Sequence, residues 1–193
     1  TPVEKALEDY LIGLAKVYPV ASYVTVNISS PNTPGLRELQ SSNYLDQLLM
    51  GLMAEREKLA IEHRRTVPLV VKIAPDLEPA EIEAIADSLV RHRIDGVIAT
   101  NTTASREGVE QLKHGTEAGG LSGKPLFEKS TEVVSRFAEA LKGAPNTLAS
   151  KASWFLEVHG DADIGQFGGR NADVIDMFDE SFDLYWSPDN AKV

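Results

Sequence analysis

The residue pattern predicts an α/β chain in which short parallel strands alternate with helices. Three observations carry this reading. Apolar residues switch between a period of 2 and a period near 3.6 three times between Tyr23 and Leu141. The strand-like runs are joined only through helix-like ones, which makes the strands parallel neighbours linked by right-handed crossovers. Finally, residues suited to chemistry gather at the C-terminal ends of those runs, where an α/β barrel carries its site.

The elements follow in order. Thr1-Pro2-Val3-Glu4 reads as N-cap, N1 and N3 of a capping box. Leu7, Tyr10, Leu11, Leu14 and Ala15 continue at helical spacing until Pro19 stops the helix. Tyr23 to Ile28 alternates, with Val24, Val26 and Ile28 on one face and Thr25 and Asn27 on the other, so the strand has a polar side. A long turn spans Ser29 to Gln40, with Pro31, Pro34 and Gly35. Leu45, Leu48, Leu49, Leu52 and Leu59 then mark a helix to about His63.

Pro68 to Ala74 is a nearly continuous apolar run interrupted by Lys72, as in a strand covered on both faces. Pro79 opens a helix with Ile82, Ile85, Ala86, Leu89 and Val90 on one side. Gly96 to Thr100 is a third strand. A glycine-rich loop from Gly108 leads into a helix marked by Val133, Val134, Phe137, Ala138 and Leu141, with Gly143 as its C′ residue. Residues 1–143 thus read as the central part of a partial TIM (β/α) barrel, since a whole one takes about 250 residues.

Residues 144–193 differ in composition. They carry a net charge of −6, against −4 for residues 1–143. Trp154 to Val158 suggests a strand and Ala172 to Phe178 a short helix, but no period is sustained. This acidic tail forms a second segment of uncertain structure.

The formal net charge of −10 argues against a nucleic-acid binder. The chain has no cysteine, which excludes disulfides, cysteine-ligated zinc and a thiolate nucleophile and fits a reducing cytoplasm. No signal peptide and no membrane-spanning run is seen. The four histidines show no metal-ligand spacing, so no metal site is expected.

Four stretches carry the polar residues at the strand ends: Asn27-Ile-Ser-Ser-Pro-Asn-Thr-Pro-Gly35, Lys72 with Ile73-Ala-Pro-Asp76-Leu77 after it, Asp95 to Thr103, and Gly119-Gly-Leu-Ser-Gly-Lys-Pro-Leu126. Together, and in this order, they resemble dihydroorotate dehydrogenases of the quinone-using, membrane-associated class. The resemblance runs from Thr1 to about Gly143. The soluble classes would carry cysteine as the base, where this sequence has Ser30.

That resemblance implies oxidation of dihydroorotate to orotate in pyrimidine synthesis, with a hydride passed to FMN and electrons onward to quinone. It assigns Ser30 as the catalytic base. Asn27, Asn32, Asn101 and Thr102 would bind the substrate, and Asn27, Lys72, Thr100 and Gly123 would contact FMN.

Chemistry agrees with these roles, each beside a plainer reading. A serine is a poor base unless held against its proton with a relay or a stabilising dipole. In an isolated Ser-Ser-Pro it would be a turn hydroxyl. Here Asn27 and Asn32 flank it, and amides both donate and accept, as a pyrimidine's alternating carbonyls and N–H groups require. An amine inside Leu-Val-Val-Lys-Ile-Ala cannot face packed helices at acceptable cost, so Lys72 points into the barrel, where a cation suits the N1/O2 edge of a reduced flavin. The plainer reading of Lys72 is a snorkelling strand-end lysine. Thr100, Asn101 and Thr102 also suit an ordinary loop start, and Gly119 to Gly123 either cradles a phosphate or is a simple turn.

The sequence departs from the family pattern at both ends. The membrane-binding helices, the early barrel strands and an Ala-Gly loop expected upstream are not in it, nor are the Gly-Val-Gly-Gly and Tyr-Ser-Gly segments expected downstream to hold the FMN phosphate. A competing reading is therefore a non-catalytic remnant or interaction module derived from the barrel. A third is part of another FMN-binding barrel oxidoreductase, which Ser30 between Asn27 and Asn32 argues against. The unsustained period and self-repelling acids of the tail predict that it packs poorly or stays irregular, with weak hydrogen-exchange protection over residues 160–193; strong protection there would contradict this.

Overall fold

The structure, a computed structural model, describes residues 5–141. In chain order it has α1 (Ala6–Val17), β1 (Val24–Asn27), a 3₁₀ turn (Leu36–Gln40), α2 (Ser42–His63), β2 (Leu69–Ile73), α3 (Pro79–Arg91), β3 (Gly96–Ala99) and α4 (Lys124–Ala140). The capping reading at Thr1–Glu4, the strand and helix expected in the tail, and the division at residue 143 lie outside the described residues.

The alternation read from the sequence holds, with shorter strands. Pairing nevertheless runs past the strand bounds: the Val24 amide donates to the Pro68 carbonyl at 2.9 Å, Asp95 N–H to Leu69 O at 3.0 Å and Asn101 N–H to Ile73 O at 2.8 Å. Pro68 has no N–H of its own and so cannot continue the ladder in both directions. The long turn after β1 contains a 3₁₀ turn that its prolines did not announce. It starts at Gly35, whose φ of 73° suits glycine. Helix α4 begins well before the apolar residues that mark it, at Gly123 with φ 81° and with Pro125 in the first turn.

The three strands form one parallel sheet in the order β1-β2-β3. The register places Asn27 beside Lys72 and Lys72 beside Ile98. Because side chains alternate, Val26, Leu69, Val71, Ile73, Val97 and Ala99 share one face, and all six belong to the hydrophobic core. The core is completed from the helices by residues such as Leu14, Leu45, Leu49, Ile82, Ile85 and Phe137. Neighbouring helices also touch along the series α1, α2, α3, α4. The opposite face carries Thr25, Asn27, Val70, Lys72 and Ile98. Lys72 therefore lies on the side away from the helices, as the sequence predicts.

Two polar clusters on the helix side supplement the apolar packing, one joining α2 to α3 and one joining α2 to the sheet. Asp46 on α2 accepts from Ser88 Oγ at 2.6 Å, from Arg91 at 2.7 and 2.8 Å, and pairs with His92 Nε2 at 2.9 Å. The Ser88 hydrogen bond, aided by His92 and Arg91 against the effect of burial, holds the Asp46 carboxyl below its usual pKa. Asp95, just before β3, accepts from Arg56 of α2 and from the Leu69 amide. A cavity of about 460 Å³ lies along the outer edge of β1, lined by Tyr10, Gly13, Leu14 and Val17 of α1 and by Val24 and Thr25 among others. None of the predicted site residues lines it.

Tyr18, fully buried after α1, donates from its hydroxyl to Arg65 O at 3.0 Å and accepts from Val67 N–H at 3.2 Å. It thus ties the end of α1 to the turn between α2 and β2. Replacing Tyr18 by Phe leaves that buried amide unsatisfied, and urea unfolding should show a loss of about 1–3 kcal/mol.

Candidate active site

The site is built from the three loops that leave the C-terminal ends of β1, β2 and β3. At the end of β1, Asn27 Oδ1 accepts from the Ser29 amide at 3.2 Å, from Ser29 Oγ at 2.9 Å and from Asn101 Nδ2 at 3.4 Å. This Asx-type turn swings the chain out of the sheet at Ile28 and Ser29, both fully buried. Ser30 follows, half-buried, and its Oγ accepts from the Asn32 amide at 3.3 Å. A backbone N–H aimed at that oxygen favours the negative charge it gathers on giving up its proton. Tyr10 of α1 donates to the Asn27 carbonyl at 2.6 Å, and burial raises the Tyr10 pKa, which keeps it a donor.

The loop after β3 faces this turn. Asn101 Nδ2 donates to Ser29 Oγ at 3.1 Å, and Asn101 Oδ1 accepts from the Thr102 amide at 2.8 Å. The side chain is thus held in one orientation from both ends. Thr100 is buried, and its hydroxyl donates to the Asn101 carbonyl at 2.8 Å. Asn27, Ser29 and Asn101 consequently form one hydrogen-bonded set, across 74 residues of sequence between the two asparagines. The side-chain nitrogens Asn27 Nδ2 and Asn32 Nδ2 make no hydrogen bond among the described residues.

The glycine-rich stretch closes over this set. Leu121 and Thr103 pair in both directions, at 2.8 and 3.0 Å, as a short antiparallel bridge. This lays Gly120 against Thr102 and Pro31: a Cβ on Gly120 would fall 1.9 Å from Thr102 Oγ1. Gly119, at φ 117°, passes near Asn32 Oδ1. Arg106 shapes the stretch by donating to the carbonyls of Glu117 at 2.7 Å and Gly119 at 2.6 Å. Gly123, buried, starts α4. The stretch therefore has a packing role that the sequence alone does not reveal, besides any role toward a phosphate.

One feature of the site has no counterpart in the sequence reading. Arg37, in the 3₁₀ turn, donates from Nε to Ser29 O at 3.1 Å, from Nη1 to Asp76 Oδ2 at 2.8 Å and from Nη2 to Thr102 O at 2.9 Å. Asp76, in the loop after β2, also accepts from Thr103 Oγ1 at 2.5 Å, Lys129 Nζ at 2.6 Å and the Ala104 amide at 2.9 Å. Burial pushes the Asp76 pKa up, but the bonds from Lys129, Thr103, Ala104 and Arg37 outweigh it and hold the carboxyl well below the usual range. The signal available in the sequence was an acid directly after an apolar strand and Ala-Pro, too common to single out.

Among the described residues no group of three or more His, Asp or Glu is arranged to hold a metal ion, and no helix is long and apolar enough to cross a membrane.

Parallel strands with helices on one face and polar loops at their C-terminal ends define part of a (β/α) barrel. The dihydroorotate dehydrogenase family model matches residues 3–145. The chain belongs to that family. The dihydroorotate dehydrogenase (quinone) of Methylococcus capsulatus is 62% identical over 149 residues, which is 77% of this chain and 44% of that protein. The enzyme of the same name from Nitrosospira multiformis is 62% identical over 144 residues, 75% of this chain and 41% of that one. The ligand-free crystal structure of the Eimeria tenella protein superposes with a TM-score of 0.70 at 34% identity, covering 80% of this chain and 44% of the other. The chain thus spans less than half the length of these relatives.

Because the folded-state pKa of Asp76 lies below its unfolded value near 3.9, its contribution to stability is present above that pH and is lost as pH falls through the folded value. The stability difference between the wild type and Asp76→Asn should be constant at neutral pH and shrink below about pH 4. Acid titration of both proteins by circular dichroism measures it.

Proposed function

We propose that this chain carries the substrate end of a dihydroorotate-oxidising site of the quinone-using class, with Ser30 as base. The observation that carries this reading is the hydrogen-bonded set of Asn27, Ser29 and Asn101, with Ser30 and Asn32 on the next turn of chain and Lys72 beside Asn27 in the sheet. The amides of Asn27, Asn32 and Asn101, with Thr102, present donors and acceptors to the ring and carboxylate of dihydroorotate. Ser30 takes a proton from the substrate's ring carbon as its own hydroxyl proton passes to water, which its half-buried position admits, and the Asn32 amide steadies the charge on its oxygen. FMN, when bound, supplies the acceptor for the hydride that leaves the neighbouring carbon, and quinone takes the electrons onward.

The residues present fit such a cofactor. Lys72 and Asn27 are register neighbours on the sheet face away from the helices, so a lysine and an asparagine stand side by side on the face that would meet a flavin's polar ring edge. Thr100 and Gly123 would complete the contacts. In this reading the chain works in the cytoplasm, with no nucleic-acid partner, and meets quinone at a membrane through parts of the relatives that it does not span.

One observation favours the second reading, a non-catalytic module. Among the described residues β1 and β3 each pair on one side only, which leaves both edges of this described part of the wall open. A half-open site stays wet, which weakens each polar contact. The chain purified with added FMN should therefore retain less than one equivalent, by flavin absorbance. At saturating FMN, dihydroorotate should bleach the bound flavin in the wild type and not in Ser30→Ala. Failure of the wild type to bleach would leave the non-catalytic reading.

A further inference from the structure

We propose that Arg37 is a positioning residue for the Ser30 loop, setting the distance between Ser30 and the Asn101–Thr102 platform; this rests on the reading of that platform as the orotate seat. The loops after β1 and β3 leave the sheet on either side of β2. Besides the contacts between Asn101 and the Asn27–Ser29 turn, at 3.1 to 3.4 Å, Arg37 joins them through the carbonyls of Ser29 and Thr102. Ser29 immediately precedes the proposed base, and Thr102 is a proposed substrate contact.

The geometry needs an arginine. Nε, Nη1 and Nη2 each serve a different acceptor, in three directions fixed by one planar group. A lysine at this position reaches one of them. Asp76 orients the guanidinium and is in turn held by Thr103, Ala104 and Lys129, so the β2 loop, the β3 loop and α4 are braced against the same carboxylate. The Arg37 and Asp76 side chains keep only 25% and 23% of their exposure, so water competes weakly for these bonds. Neither residue donates to Ser30 or carries its proton. Their effect is exerted through the backbone on which Ser30 is mounted.

The test uses the whole 193-residue chain. Orotate is titrated into the wild type, Arg37→Gln, Arg37→Lys and Arg91→Gln, and amide exchange is read at Ser29 and Ala104. Arg91→Gln is the control for the loss of an arginine–carboxylate pair away from the site, since it removes only the Arg91–Asp46 bridge on the outer side of the sheet. Positioning predicts that Arg37→Gln weakens orotate about tenfold or more and speeds exchange at Ser29 and Ala104 together, while Arg91→Gln does neither. Arg37→Lys should fall between Gln and wild type. If Arg37→Gln weakens orotate no more than Arg91→Gln does, the inference is wrong. Should Arg37→Gln fail to fold, Arg37→Lys decides, and wild-type affinity in that variant overturns the inference. A wild-type chain that binds no orotate refutes the seat proposed above; the exchange arm then decides on Arg37, because unchanged exchange at either amide contradicts the bracing and joint acceleration supports it.

Discussion

The parallel register of β1, β2 and β3 is the constraint on which the remainder depends. It puts Asn27, Lys72 and Ile98 in one row and Val26, Val71 and Val97 in the row behind them. Side chains in a strand alternate strictly, so a slip of one residue in β2 would turn Lys72 into the helix-packed core and Val71 out of it. Burying an unpaired ammonium there costs several kcal/mol, roughly the whole margin of a small domain. The same register sends the three following loops out at one end of the sheet. That is why residues far apart in the chain, such as Asn27 and Asn101, come within hydrogen-bond reach.

Strand ends deliver the loops to one region but do not fix their spacing. That falls to charge. Two polar clusters with a similar list of partners show the difference. Asp46 and Arg91 sit on the outer side, with side chains 36% and 57% exposed, and such a pair adds little because water and salt screen it. Asp76 and Arg37 are less exposed, and each spends its bonds on groups from several loops. Removing one partner there leaves a half-buried charge without its counterpart, which is more costly than the pair is stabilising. The site end of the sheet is therefore held by an ion pair, and the helix side by apolar packing.

Among the described residues β1 and β3 each keep one edge without a strand partner. Exposed backbone N–H and C=O groups on an edge strand invite a further strand, and the cavity beside β1 is bounded by Thr25 of that strand and by the apolar side of α1. The loops at the C-terminal ends nevertheless form their contacts within this sector. The hydrogen bonds among Asn27, Ser29, Asn101 and Thr102, and those around Arg37, all join described residues.

The alternation of strand and helix was legible because it is local: period 2 at Val24 to Asn27, the apolar run around Lys72, and helical spacing from Ile82 to Leu89 each need only a few neighbouring residues. The face of Lys72 was legible for the same reason, since an amine among Val71 and Ile73 leaves one tolerable side. Asn27, Ser30 and Asn101 were legible as a motif, and the structure brings Asn27 and Asn101 into direct contact. The packing of Gly120 on Thr102 and the Arg37–Asp76 bridge were not legible. Arg37 lies 39 residues from Asp76 and 65 from Thr102, and single charged residues in polar loops carry no period and no spacing rule. Their partners are chosen by how three loops converge after the sheet has formed, because a hydrogen bond depends on distance and direction in space, and neither is written in the order of residues along the chain.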